Sequence, residues 1–261
     1  MNVWLSRWIA LRDHLAADLF GGPRPLKAAW VINLQKAGTL PFVLGLMAWY
    51  DVWTPTAWTY AALHGSYGLC WLLKDRTFPD PSWERHVTFA GAVSMWVLVL
   101  GLYWIAPWIV VSQQVEQPTW MLAAATVLYA LGVVIMMGSD AQKTFTLRLR
   151  PGLITTGFFA RVRHPNYLGE MMLYGSFAWL AGHWLPWAVL GWVWLALFIP
   201  NMLRKEASMS RYPEWAAYKA RSGFLIPSLG RHRAGGQPPT AASSQASGSP
   251  VAPGAELEAS S

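Results

Sequence analysis

One cysteine in 261 residues, Cys70, rules out a disulfide framework. No Cys/His cluster has the spacing of metal ligands, so no metal is expected. Charge is scarce: Asp, Glu, Lys and Arg make up 13% of the chain against 54% hydrophobic residues, which excludes an ordinary soluble globule. No Gly-x-Gly-x-x-Gly follows a strand-like run, and that excludes a soluble Rossmann dehydrogenase or methyltransferase. No internal repeat is evident. The little charge there is leans basic, at a formal +7.

What the chain has in abundance is apolar runs. Six, at roughly 29–50, 54–73, 87–111, 119–138, 166–183 and 185–203, have the about 17–25 residues that a bilayer core demands. Lys and Arg test that reading. They fall in 1–27, 74–86, 139–165 and after 203, and the connections near 51–53, 112–118 and 184 have none. An even number of spans puts every basic segment on one face, which the positive-inside rule makes cytosolic. The expectation is an all-α integral membrane protein, multi-pass, with about six transmembrane helices and both termini cytosolic. Topology and anionic inner-leaflet lipid account for the net charge, so the expected partners are the lipid bilayer and a lipid-soluble small molecule, with no nucleic acid.

The first apolar run is broken by Arg7, Arg12, Asp13 and Asp18, so no cleavable signal peptide is expected. Trp4, Trp8, Leu11, Leu15 and Leu19 recur at helical spacing, which suits an interfacial helix within an N-terminal segment 1–27. The membrane domain covers 28–228. Residues 229–261 are Ala/Ser/Gly/Pro-rich without periodicity and read as a disordered tail.

Arg161-Val-Arg163-His164-Pro165-Asn166-Tyr167-Leu168-Gly169-Glu170 is the densest polar segment. Pro165 suits the first turn of a helix, so a basic loop runs into a helix N-terminus, with its unpaired N–H groups and positive dipole end. Arginine adds fork-shaped donors. This is an anion site at a membrane surface, suited to a phosphate-bearing cofactor. Glu170 lies one turn into the apolar run, where ionisable groups are functional by default.

In this segment the chain resembles the membrane reductases and methyltransferases with a common C-terminal helical core: steroid 5-alpha-reductases, delta-14 sterol reductases, isoprenylcysteine carboxyl methyltransferases and phospholipid methyltransferases. The resemblance covers roughly 136–228. Asn166-Tyr167-x-Gly169-Glu170 is similar to the reductase branch, as are Ser139-Asp140, Leu147-Arg148-Leu149-Arg150-Pro151-Gly152 and Gly157-Phe158-Phe159, and the downstream Arg204-Lys205-Glu206, Tyr212, Tyr218 and Leu225-Ile226-Pro227. Met136 stands where the steroid reductases usually have Asn. The resemblance implies an NADPH-dependent oxidoreductase that reduces a carbon–carbon double bond conjugated to a carbonyl in a lipid or steroid-like substrate, with the cofactor on the cytosolic face. The expected cofactor site comprises Asp140, Arg148, Arg150, Arg161, Arg163, His164, Asn166, Tyr167, Glu170, Lys205, Glu206 and Tyr218. The loop cations, with Arg221, would converge on the phosphates. The alternative is an S-adenosylmethionine-dependent membrane methyltransferase of the isoprenylcysteine or phospholipid type.

Tyr60, His64 and Tyr67 fall at i, i+4 and i+7 of the second span, hence on one helical face. A buried phenol or imidazole is what enone reduction needs as its acid, so these three join Glu170 as catalytic candidates, Tyr67 foremost. Gly65 and Gly68 beside them admit a close helix or a flat ligand. Asp140 is read as closing the fourth span, with Arg148 as a possible partner. Lys36, in the first span, either snorkels to the headgroups or faces the cofactor.

Overall fold

A computed structural model describes residues 3–228. The tail expected at 229–261 lies outside the described residues. Helix α1 (Val3–Ala17) leads into α2 (Ala28–Tyr50) and α3 (Pro55–Thr77). Then follow α4 (Phe89–Ser112), α5 (Thr119–Leu149), α6 (Pro165–Ala181), α7 (Trp184–Met209) and a short α8 (Trp215–Arg221). A two-residue antiparallel pair, β1 (Leu26–Lys27) with β2 (His86–Val87), joins the approaches to α2 and α4.

The starts of these helices are written locally. Thr54 accepts a hydrogen bond from the Ala57 N–H, with Pro55 at the first helical position. Thr88 caps α4 by accepting from the Gly91 N–H, and His183 caps α7 through the Leu185 N–H. Each takes up one of the N–H groups that a helix start leaves unpaired.

Four helices among the described residues, α2, α4, α5 and α7, are long and apolar enough to cross a membrane. The chain is therefore a multi-pass membrane protein. The other two expected spans fall on α3 and α6. The latter has 17 residues, and the former carries Lys74, Asp75 and Arg76 in its last turns.

Helix α5 corrects a boundary. The expected loop beginning at 139 is helix as far as Leu149, because Ala141, Gln142, Lys143, Leu147 and Arg148 are good helix formers. With 31 residues it is about 46 Å long, well beyond a bilayer core of about 30 Å. Asp140 thus lies more than two turns short of the helix end instead of closing it.

Glycines set two close crossings. A Cβ on Gly169 of α6 would lie 2.5 Å from the Gly132 carbonyl oxygen of α5, and one on Gly132 would lie 2.7 Å from the Gly169 oxygen. Only glycine at both sites lets these backbones meet. Gly65 and Gly68 of α3 are used likewise: Leu40 and the Lys36 carbonyl of α2 occupy the space a Cβ would need. They admit a helix, not a flat ligand.

Two helices contain a π turn, Trp96–Leu100 in α4 and Trp194–Phe198 in α7. Such a turn disturbs the regular backbone ladder and is frequent at functional sites. Here the Leu98 carbonyl accepts the Trp192 indole N–H and the Ala196 carbonyl accepts that of Trp8, each at 2.9 Å. Both turns border the same cavity.

Candidate functional site

A cavity of about 600 Å³ opens between α1, the segment before α4, and the ends of α3, α5, α6 and α7. Its wall changes character along its length. One part is apolar, with Trp8, Leu11, Leu98, Val99, Trp192 and Leu197. The other is charged: Arg12, Lys74, Arg85, Lys143, Arg204 and Lys205 stand against Asp13, Asp80, Asp140 and Glu170. Six cations against four carboxylates leave the wall positive.

Five of the expected site residues meet there: Asp140, Asn166, Tyr167, Glu170 and Lys205. The partner of Asp140 is Lys74 of α3, at 2.8 Å, in place of Arg148. The Lys205 ammonium sits 4.6 Å from the centroid of the Tyr167 ring, a cation–π contact. Neither Lys143 nor Lys205 makes an ion pair within 4.0 Å among the described residues. Pro165 and the α5–α6 glycine crossing explain the convergence: they fix the first turns of α6, and so Asn166, Tyr167 and Glu170, against Asp140.

The remaining expected cofactor residues lie elsewhere. Arg148 and Arg150 are exposed at the end of α5, with Arg148 over the Phe145 ring. Arg161 is exposed, and its carbonyl accepts the Gly223 and Ser228 N–H groups. Arg221 lies against the Tyr218 ring, off the cavity wall. Arg163 is buried in a clasp. Its guanidinium pairs with Glu206 at 2.5 Å and donates to the Ser222 and Lys219 carbonyls. Glu206 also faces Lys219 at 3.7 Å and the His164 Nε2 at 3.6 Å. Tyr218 completes the clasp by donating to the Phe159 carbonyl at 2.8 Å. The arginine expected to hold phosphate instead ties the chain after α8 to the loop before α6. Burial, then the charges of Lys205 and Arg163, lower the His164 pKa to about 3, so its imidazole is neutral. Burial likewise raises the Tyr218 phenol to about 12.

Tyr60, His64 and Tyr67 share one face of α3, as their spacing requires, and all are fully enclosed. The Tyr60 hydroxyl lies 3.0 Å from His64 Nδ1, and the His64 ring stacks on Phe177 with centroids 4.2 Å apart. His64 Nε2 has no hydrogen-bond partner among the described residues, and the Tyr67 hydroxyl faces that of Tyr174. These three stand one layer behind the cavity. Trp71, one turn on from Tyr67 and edge-on to it, forms the wall itself. Lys36 neither snorkels nor lines the cavity. It is 4% exposed, donates to the Tyr174 hydroxyl at 2.5 Å and is ringed by Tyr67, Trp71, Tyr103 and Tyr174. Glu170 is its counter-charge across the wall.

Sequence reasoning missed Arg12, Lys74, Asp80, Arg85, Lys143, Asn201 and Arg204. Most were absorbed by the positive-inside rule or by the interfacial helix. The available signal was acids and amides interleaved with those cations, which a purely topological charge does not need.

The family model described as a protein of unknown function (DUF1295) matches residues 75–222, more than half of the chain. That stretch includes the clasp and most of the charged wall, but not Arg12, Asp13 or Lys74. Two uncharacterized proteins of Schizosaccharomyces pombe are similar over shorter stretches. One is 39% identical over 70 residues, 25% of this chain and 24% of its own. Another is 32% identical over 89 residues, 32% of this chain and 26% of its own. The chain thus matches about a quarter of the length of these curated relatives.

Proposed function

We propose that this chain, which belongs to the DUF1295 family of proteins of unknown function, is a membrane-embedded NADPH-dependent reductase of a conjugated carbon–carbon double bond in a lipid-soluble substrate. The family is associated with steroid 5-alpha-reductase-like membrane proteins, which agrees with the motif resemblance. The observation that carries the reading is the two-part cavity, cationic at one end and apolar at the other. A dinucleotide needs the first part and an apolar enone the second. Six membrane spans, with both termini and the charged end of the cavity cytosolic, belong to this proposal, and the one-sided placement of Lys and Arg supports them.

The residues present fit the cofactor. The volume falls within the roughly 300–1,000 Å³ of ligand pockets. Lys143 and Lys205, with no ion pair within 4.0 Å among the described residues, offer ammonium groups to a pyrophosphate, with Lys74 and the Asn166 amide beside them. S-adenosylmethionine carries a sulfonium and no phosphate, so this crowd of cations suits it less. When bound, the reduced nicotinamide supplies a hydride. Tyr167 and Lys205 would form one side of its enclosure, and Glu170 would hold it from the wall. Apolar side chains of α1, α4 and α7 exclude water from the substrate. In this reading the acid is Tyr67, which stands one layer behind the wall and meets the substrate only when Trp71 moves aside; His64 packs beside it and is hydrogen-bonded to Tyr60. A phenol suits that role because it donates while remaining neutral near pH 7.

The test is consumption of NADPH by purified full-length protein in micelles containing an apolar conjugated enone. Enone-dependent oxidation that falls in Lys205→Met and Asn166→Ala supports the reading. Enone-independent protein that instead transfers a methyl group from S-adenosylmethionine contradicts it.

A further inference from the structure

We infer that Arg12, Arg85 and Arg204 form a binding site for a phosphate monoester at the cavity wall, distinct from the lysine set around Asp140. The three guanidinium groups come from α1, the segment before α4, and α7, and all line the cavity. Asp13 is the acid among them: it pairs with Arg12 at 2.8 Å and with Arg204 at 3.4 Å. Arg12 also donates to the Asn201 side chain at 2.8 Å, which fixes its fork. Arg85 is within electrostatic reach of Asp13, Arg12 and Arg204, yet its Nε is buried with no acceptor among the described residues. One carboxylate among three guanidinium groups leaves two positive charges unbalanced.

That charge count selects the ligand. A phosphate monoester carries about −1.5 to −2 near pH 7 and three strong acceptor oxygens. A diester has a single charge and neutralises half of the excess. Arginine forks match phosphate geometry bidentately, and a donor already desolvated, such as Arg85 Nε, gains most from an acceptor. Arg85 feels the charge of the whole cluster. Burial holds its pKa below the usual arginine value; Asp13 opposes that shift, and Arg12 and Arg204 add to it.

Two sources supply this chemistry. One is the 2′-phosphate of the nucleotide, which rests on the reductase reading above. The other is a lipid whose headgroup is a phosphate monoester, which does not, and which the apolar face of α1 would accommodate. Purified full-length protein in micelles separates them by thermal stabilisation, with NADPH against NADH in one arm and phosphatidic acid against phosphatidylcholine in the other. Wild-type protein should prefer the monoester in one arm. Arg85→Gln should weaken that partner's binding about tenfold to a hundredfold and leave the other member of the pair unchanged, since a hydrogen bond to a charged group contributes about 1.5–3 kcal/mol. Arg204→Gln, whose side chain is half exposed, gives the same readout should Arg85→Gln fail to fold. No preference in either arm, or a preference that both variants retain, overturns the site. If neither nucleotide binds, the reductase reading fails by itself, and the lipid arm decides the arginine site.

Discussion

Glu170 is the one carboxylate that both lines the cavity and faces the buried Lys36, so a nearly isosteric change there separates chemistry from folding. Glu170→Gln should lower turnover in the enone assay about a hundredfold while NADPH still stabilises the protein. Tyr67→Phe removes a single hydroxyl behind the Trp71 wall, so stability should change little, while kcat falls about 10²–10³-fold, the usual effect of losing an oxyanion donor, if Trp71 opens to admit the substrate. A wild-type rate in both variants would remove them from the reaction. His164 makes a prediction about pH. Its pKa is about 3 in the fold and about 6.5 in an unfolded chain. Between those values the unfolded state binds the extra proton, so stability is full above about pH 6.5 and declines as pH falls toward 3. His164→Asn should flatten the decline of Tm with acidification. An unchanged slope would show that other groups cause it.

At the scale of elements, helices α4 to α7 were legible because long apolar runs are a local signal. The overrun of α5 was not, because its last turns are polar and helical propensity had to be weighed against a loop that the charges suggested. Asn166, Tyr167, Glu170, Asp140 and Lys205 were legible as a group through their motif. The clasp was not: Arg163 and Glu206 stand 43 residues apart, and nothing in the spacing says which anion an arginine will meet. The clasp gives a contrast with the sequence expectation that Arg163 holds phosphate. Arg163→Ala leaves the partly buried Glu206 with only the exposed Lys219, so the loss should approach but not exceed the about 3–5 kcal/mol of breaking a buried pair. The variant should melt earlier and expose the segment after α8 to protease, while the affinity of the folded fraction for NADPH changes little. A selective loss of NADPH affinity with unaltered melting would return Arg163 to the cofactor site.

For the whole molecule, orientation decides whether the charged end of the cavity can meet a cytosolic nucleotide. A reporter fused after Gln117, in the connection free of Lys and Arg, should appear outside the cytosol, and one after Arg150 should appear inside. Both on one side would mean that α5 does not cross, and the reverse pattern would mean a different number of crossings before it. The central claim is that a cationic, phosphate-matched cavity inside a membrane protein serves a hydride donor. Its most direct test is the thermal stability of purified full-length protein titrated in parallel with NADPH and S-adenosylmethionine. The account predicts stabilisation that grows with NADPH as RT ln(1 + [L]/Kd) and none from S-adenosylmethionine over the same range. Stabilisation by S-adenosylmethionine alone would contradict it.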